Sequence, residues 1–178
     1  MRYDIMAAGS GGQGIITLGK LFADTALLQN YETTLMKSYG AEMRGGKANV
    51  QVIVSDEKIA SPFIENPDVA MVFNELSYNA YKKLATNRTV ILYNSSLFKI
   101  AENNAVAVPL QEIVAKTKNV RGLNIAMFGA FCAQFDFLNA ELAKQAIKDN
   151  FEKKGAEIVE KNIRTFEAGY DFVKALRN

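Results

Sequence analysis

Apolar positions along this chain fall into short runs that alternate between the period of a strand and the period of a helix. Tyr3 to Ala8 is a short apolar run of the kind expected of a strand buried on both faces. Ile15, Leu18, Leu21, Phe22 and Ala26 then recur at three- and four-residue steps, predicting a helix over 15–28 with one buried face and a stop at Asn30. Thr33 to Met36 predicts a second strand. From Asn49 to Ser55, Val50, Val52 and Val54 alternate with Asn49 and Gln51, which predicts a strand with one half-exposed face. Buried strands are expected over 69–74, 89–94 and 106–108, the last stopped by Pro109. Ser61 to Asp68, with two prolines, is expected to be a loop.

Helices are predicted over 77–85 with Ser77 as cap, over 110–118, from Asn139 onward, and over 156–176. Gly122 to Phe135 is apolar almost all round, which places it as a buried helix or at an interface. The last helix carries Val159, Ile163, Phe166, Tyr170 and Val173 as a stripe. That spacing suits a coiled-coil seam, but so short a run is better matched to packing against a sheet. Alternating strands and helices predict an α/β fold, a three-layer α/β/α arrangement. Its central sheet is expected to be mostly parallel but mixed, Val50 to Val54 being the hint of mixing. Residues 1–178 are expected to form a single domain, without repeats or low-complexity segments.

The first candidate chemistry sits between the first strand and the first helix. Gly9, Gly11, Gly12 and Gly14 fall within six positions, and Gly9, Gly11 and Gly14 satisfy G-x-G-x-x-G in the strand–turn–helix context it requires. Glycines let the backbone turn tightly and leave N–H groups exposed at a helix N-terminus, whose partial positive charge suits an anion. Gly11, Gly12 and Gly14 would offer backbone N–H groups and Gln13 its side-chain amide. The bland alternative is a tight turn whose glycines serve close packing alone. A nicotinamide site also needs an acidic residue ending the second strand, about 20 residues on. Here Lys37 follows that strand and Glu32 precedes it, which tells against NAD more than against NADP.

The second candidate is Ser38 to Gly46, SYGAEMRGG, at the carboxyl end of a strand, where ligands and partners of open α/β sheets are met. Arg44 suits bidentate pairing with a carboxylate or phosphate. A solvated loop with Glu42 and Arg44 paired to each other is the alternative. The interface reading is preferred, because so glycine-rich a loop is costly to order without a partner.

Composition narrows the classes. The formal charge of +2 is too small to imply a nucleic-acid partner, and no basic run interleaved with aromatics appears, so none is expected. One cysteine, Cys132, permits neither an internal disulfide nor the thiolates of an iron–sulfur cluster. The chain has no histidine, which rules out Ser-His and Cys-His catalysis and leaves no convincing metal site. Cys132 is expected to be a buried small hydrophobe, and Met6, Met36, Met43, Met71 and Met127 mostly core. Lys153 and Lys154 are the surface charges best placed to meet an acidic partner. With a core strand at the N-terminus and no apolar segment long enough to span a bilayer, a soluble, cytoplasmic chain is expected.

Read together, GSGGQG at 9–14, SYGAEMRGG at 38–46, the helix from Asn124 to Phe135 and NIRTFEAGYDF at 162–172 resemble one family over essentially the full length. It is the gamma subunit of 2-oxoacid:ferredoxin oxidoreductases, equivalent to the gamma-type domain of single-chain pyruvate:ferredoxin oxidoreductases. The resemblance implies a complex that decarboxylates a 2-oxoacid on thiamine diphosphate with Mg, passes electrons through iron–sulfur clusters to ferredoxin or flavodoxin, and forms an acyl-CoA. It implies that alpha, beta and delta subunits carry those cofactors, and that this chain is a non-redox component near the coenzyme A side. Gly9, Gly11, Gly12, Gln13 and Gly14 would then cradle coenzyme A phosphates. Ser38, Tyr39, Glu42, Arg44, Gly45 and Gly46 would meet the alpha subunit or the acyl-CoA channel. 2-Oxoglutarate is the preferred substrate, with pyruvate next and an indolepyruvate enzyme as the nearest relative reading. A stand-alone NADP- or flavin-binding reductase is the rival from another class, and a homodimer of the isolated chain stays open.

Overall fold

A computed structural model describes residues 1–39 and 47–177. Six strands, β1 (Arg2–Ser10), β2 (Glu32–Tyr39), β3 (Lys47–Ser55), β4 (Val69–Val72), β5 (Val90–Asn94) and β6 (Ala105–Val108), form one sheet in the order β2-β3-β1-β4-β5-β6. β1, β4, β5 and β6 pair in parallel, while β3 runs antiparallel to both of its neighbours. The mixed α/β sheet expected from the pattern is therefore present. Its helices are α1 (Ile15–Leu28), α2 (Glu75–Tyr81), α3 (Leu110–Lys116), α4 (Leu123–Gln134), α5 (Ala140–Phe151) and α6 (Ala156–Arg177). Short 3₁₀ turns extend α2 and α5. No helix among the described residues is long and apolar enough to cross a membrane.

Alternation along the strands assigns the two faces. Ile5, Ala7, Val50, Val52, Val54, Met71 and Leu92 join α1, α3, α4, α5 and α6 in one large apolar cluster. Val72, Ile91 and Tyr93 point the other way, into a smaller cluster with Tyr78 of α2 and Phe98. The layers are unequal, five helices on one face against one short helix on the other.

The structure departs from the sequence pattern at several positions. β3 is buried on both faces rather than half exposed, because Asn49 lies under the α2 side and donates through Nδ2 to the Tyr81 hydroxyl at 2.6 Å. β2 spans 32–39 rather than 33–36, so Glu32 belongs to the strand instead of preceding it. Met36 is 37% exposed on that edge strand rather than core. Asn74, not Ser77, caps α2, its Oδ1 accepting from the Ser77 N–H at 2.8 Å. Asn30 does end α1 in the left-handed conformation, with φ 59°.

α4 explains its uniform apolarity. Ten of its twelve residues are buried, between the sheet-bound α1 and the outer α6. Phe22 of α1 meets Phe128 and Phe131 edge-on at 4.9 and 4.5 Å, and Phe128 meets Phe166 of α6 at 5.5 Å. The α6 stripe thus packs chiefly on α4, not on the sheet as the spacing suggested. Gly129 and Gly169 let the α4 and α6 backbones touch at the crossing. Cys132 lies in the same layer, and burial pushes its thiol well above the ordinary range. The neutral thiol is a poor nucleophile, so Cys132 in the folded chain should resist iodoacetamide at pH 8 and react once urea unfolds it. Rapid native-state alkylation by mass spectrometry would contradict this packing.

Candidate functional site

The glycine turn leaves the carboxyl end of β1. The Gln13 N–H donates to the Ser10 carbonyl at 3.2 Å, closing a turn whose third residue, Gly12, has φ 90°. That is the type II position that side chains disfavour. Gly14 follows at φ 76° as the N-cap of α1. A Cβ on Gly12 would meet nothing within 4 Å, whereas one on Gly14 would sit 2.6 Å from the Asn124 side chain. Gly12 is therefore a conformational glycine at an open surface, and Gly14 also permits a close approach. Gly9 packs so tightly that a Cβ would lie 2.6 Å from Gln13 Oε1, and Gly11 is exposed.

Gln13 does most of the local bracing. Its Oε1 accepts from the Ser10 N–H at 2.7 Å and from Asn74 Nδ2 at 3.1 Å. Asn74 Nδ2 also donates to Ser10 Oγ at 3.0 Å. Only the amide NH₂ end of Gln13 is left to face a ligand. Asn74 lies just past β4, the parallel neighbour of β1, so one side chain ties the turn to the start of α2. Asn74→Ala removes a cap and two braces, and a loss of about 1–2 kcal/mol in urea unfolding is expected. An unchanged midpoint would contradict that role. The pattern did not single out Asn74, although a polar residue ending the next parallel strand is a usable signal.

α1 begins with no side-chain cap and no acidic residue in its first turn, and so does α4. The two N-termini meet, Asn124 Nδ2 donating to the Gly14 carbonyl at 3.2 Å. Beside them opens a cleft of about 570 Å³ that includes Gly12, Gly14 and Thr17, the loop from Lys118 to Arg121, and Lys154 and Lys161 near the α5–α6 junction.

On the side of β1 away from β4, the neighbouring strand is β3, not β2. Its Lys47 and Ala48 lie next to Ser10 and Gly9, so Glu32 and Lys37 are both one strand further from the turn. Neither Glu32 nor Lys37 therefore ends a strand that pairs with β1, where a dinucleotide site needs its ribose partner. Ser38 is exposed at the end of β2, and Tyr39 closes that strand opposite Ala48. Glu42, Arg44, Gly45 and Gly46 lie outside the described residues, as does Met43. Lys153 is exposed on the 3₁₀ turn after α5.

Residues 4–172 match the family model of pyruvate ferredoxin/flavodoxin oxidoreductase. The chain belongs to that family. The gamma-type resemblance read from the motifs is borne out with it. This oxidoreductase family chain is 33% identical over 183 residues to the 2-oxoglutarate synthase subunit KorC of Methanocaldococcus jannaschii, covering 99% of this chain and 96% of KorC. It is 32% identical over 173 residues to the ketoisovalerate oxidoreductase subunit VorA of Methanothermobacter thermautotrophicus, covering 96% of this chain. It spans only 36% of VorA, so it matches about a third of that relative's length. A solved 2-oxoglutarate:ferredoxin oxidoreductase from Magnetococcus marinus holds 2-oxoglutarate, coenzyme A and succinyl-CoA. It superposes with a TM-score of 0.89 at 28% identity, over 98% of this chain and 31% of that one.

Proposed function

We propose that this chain is the gamma-type subunit of a 2-oxoacid:ferredoxin or flavodoxin oxidoreductase, which converts a 2-oxoacid to an acyl-CoA, with 2-oxoglutarate as the preferred substrate. The observation that carries this reading is the end-to-end match with KorC in both directions. Alpha, beta and delta subunits supply thiamine diphosphate, Mg and the iron–sulfur clusters, and the assembly works in the cytoplasm. This chain contributes no redox group, in keeping with its single, buried cysteine. Its glycine turn, Gly9 to Gly14, cradles coenzyme A phosphates. Support comes from the uncapped α1 N-terminus and the exposed Gly11 and Gly12 at the carboxyl end of the sheet. The segment from Ser38 to Gly46 meets the alpha subunit.

The stand-alone NADP or flavin reductase is less well supported, because the relatives that match this chain end to end are oxidoreductase subunits. Reconstitution tests the proposal. The co-expressed alpha, beta and delta subunits should reduce a viologen dye with 2-oxoglutarate and coenzyme A only when this chain is added. Equal turnover without it would refute the assignment.

A further inference from the structure

The sheet has two edges, and only one of them is blunted. β6 is four residues long and Pro109 stops it, so it offers little backbone to another strand. β2, at the opposite edge, is eight residues long and pairs with β3 alone. Its register against β3 advances one residue at a time from Glu32 to Tyr39, without a bulge to twist the edge away. Neither proline nor glycine interrupts it, and its two charges, Glu32 and Lys37, leave Thr33 to Met36 uncharged between them. Among the described residues, no backbone group outside β3 bonds to this strand. A long, regular, unpaired edge of this kind is a template for a further strand.

A helix stripe runs beside the same edge. Gly19 of α1 sits so close to β2 that a Cβ there would lie 2.9 Å from Leu35 Cδ1. Ile16, Lys20, Ala23 and Leu27 follow one another at four-, three- and four-residue steps, so they share the side of α1 next to Gly19. Ala23 is buried, Ile16 is partly buried, and Leu27 is 58% exposed. Lys20 is the one charge on this stripe. Its ammonium turns to Asp24 and to Asn150 of α5, both at 2.6 Å, which leaves its apolar stem along the stripe. An unpaired strand and an apolar helix side therefore lie along one border of the molecule.

We propose that this border is the seam of a homodimer, in which a second copy of the chain adds its own β2 antiparallel and the two six-stranded sheets become one. The strand is self-complementary about a two-fold axis at Leu35, perpendicular to the sheet. Such an axis keeps each face continuous, so opposed residues must share a face. Leu35 then meets Leu35 of the second copy, Thr34 meets its Met36, Thr33 its Lys37 and Glu32 its Ser38. No like charges stand opposite each other. On the helical face the two α1 stripes close over the paired leucines. A seam of eight residues is about 26 Å long, and with sheet and helix layers about 10 Å apart it covers on the order of 500 Å² per copy. The total of about 1,000 Å² reaches the size that a specific interface needs. This pairing rests on the exposed edge and not on the subunit assignment.

Sedimentation velocity of the full chain over a concentration series tests it, and a species of twice the chain mass should grow in as concentration rises. Thr34→Lys with Met36→Lys places like charges opposite each other twice across the seam, and should raise the dimer dissociation constant by at least ~10-fold. Thr34→Lys with Met36→Glu places opposite charges at the same two points and should restore most of the affinity. Hydrogen exchange of the unmodified chain supplies a readout that needs no substitution. Amides within 32–39 should exchange faster as the chain is diluted, while those of β5 keep their rates. Circular dichroism checks that both double variants fold, and the exchange result decides alone if either does not. A chain that is monomeric at every concentration, a dimer that the two double variants affect alike, or β2 amides insensitive to dilution would overturn the proposal. Protection of β2 that arises only when other subunits join a monomeric chain would assign the edge to a strand of another polypeptide, and would overturn it equally. None of these failures touches the reconstitution assay, so the subunit assignment stands or falls separately.

Discussion

Replacing Gly129 with alanine should lower the melting temperature of this chain by about 6–12 °C. A Cβ at this position would overlap the Phe166 carbonyl oxygen on the facing helix, and one at Gly169 would overlap the Ala126 carbonyl oxygen. The obstructing atoms are backbone in both cases, so no rotamer change can relieve the clash. α4 and α6 would have to separate, and the separation would open the Phe22–Phe128–Phe166 stack that runs from the sheet side to the outer helix. Overpacking of a close-packed core costs about 1–3 kcal/mol where side chains can adjust, and a backbone-to-backbone overlap belongs at or above that upper end. Three kcal/mol, at roughly 2–4 °C per kcal/mol for a chain of this size, sets the expected drop. Gly169→Ala should behave similarly. A Gly129→Ala variant melting within a degree of wild type, by circular dichroism, would show that the two helices are not packed as described.

Gly14→Ala should raise the KM for coenzyme A in the assembled enzyme by at least ~10-fold while leaving the KM for the 2-oxoacid near wild type, if the turn holds phosphates as proposed. The structural part of the effect is twofold. Alanine at φ 76° costs roughly 1–2 kcal/mol, and the new methyl displaces the buried Asn124 side chain from its bond to the Gly14 carbonyl. Both disturb the junction where the α1 and α4 N-termini meet, which is where an anion would be held. Gly12→Ala offers a useful contrast. Its φ of 90° carries a similar backbone cost, but its Cβ would stand in open space. It should therefore destabilise without displacing Asn124, and its effect on coenzyme A should be the smaller of the two. Equal rises in both Michaelis constants for Gly14→Ala would indicate a damaged assembly instead of a lost phosphate contact.

Local periodicity was enough to place the strands, α1 and α4, because burial on a face leaves a two- or four-residue rhythm in the chain. The order of strands was not available from that rhythm. β1, α1 and β2 look in sequence like the start of a βαβ unit, yet β3 inserts antiparallel between β1 and β2. Pairing partners are chosen by long-range packing, and no local signal in Lys47–Ser55 states which neighbours it takes. The same limit hid the site's other half. The glycines announce themselves because side chains disfavour φ 90° and 76°. Lys118, Arg121 and Lys161, by contrast, look like any solvated charge until the fold brings them to one cleft with Gly12 and Gly14. Lys154, a surface charge suited by sequence to an acidic partner, lines this cleft in the structure. Asn119 lies more than forty residues before Asn162 and Thr165, so the buried hydrogen bonds it donates to them exist only in three dimensions.

As the proposed gamma-type subunit, this chain works as one component of a 2-oxoacid oxidoreductase. Affinity capture of the tagged chain from its native cells, with mass spectrometry of the eluate and a 2-oxoacid-dependent dye-reduction assay, tests it most directly. Thiamine-binding and cluster-bearing subunits should co-purify at fixed stoichiometry, with coenzyme A-dependent activity strongest on 2-oxoglutarate. A chain recovered alone, carrying NADP or flavin and inert toward every 2-oxoacid, would contradict the account.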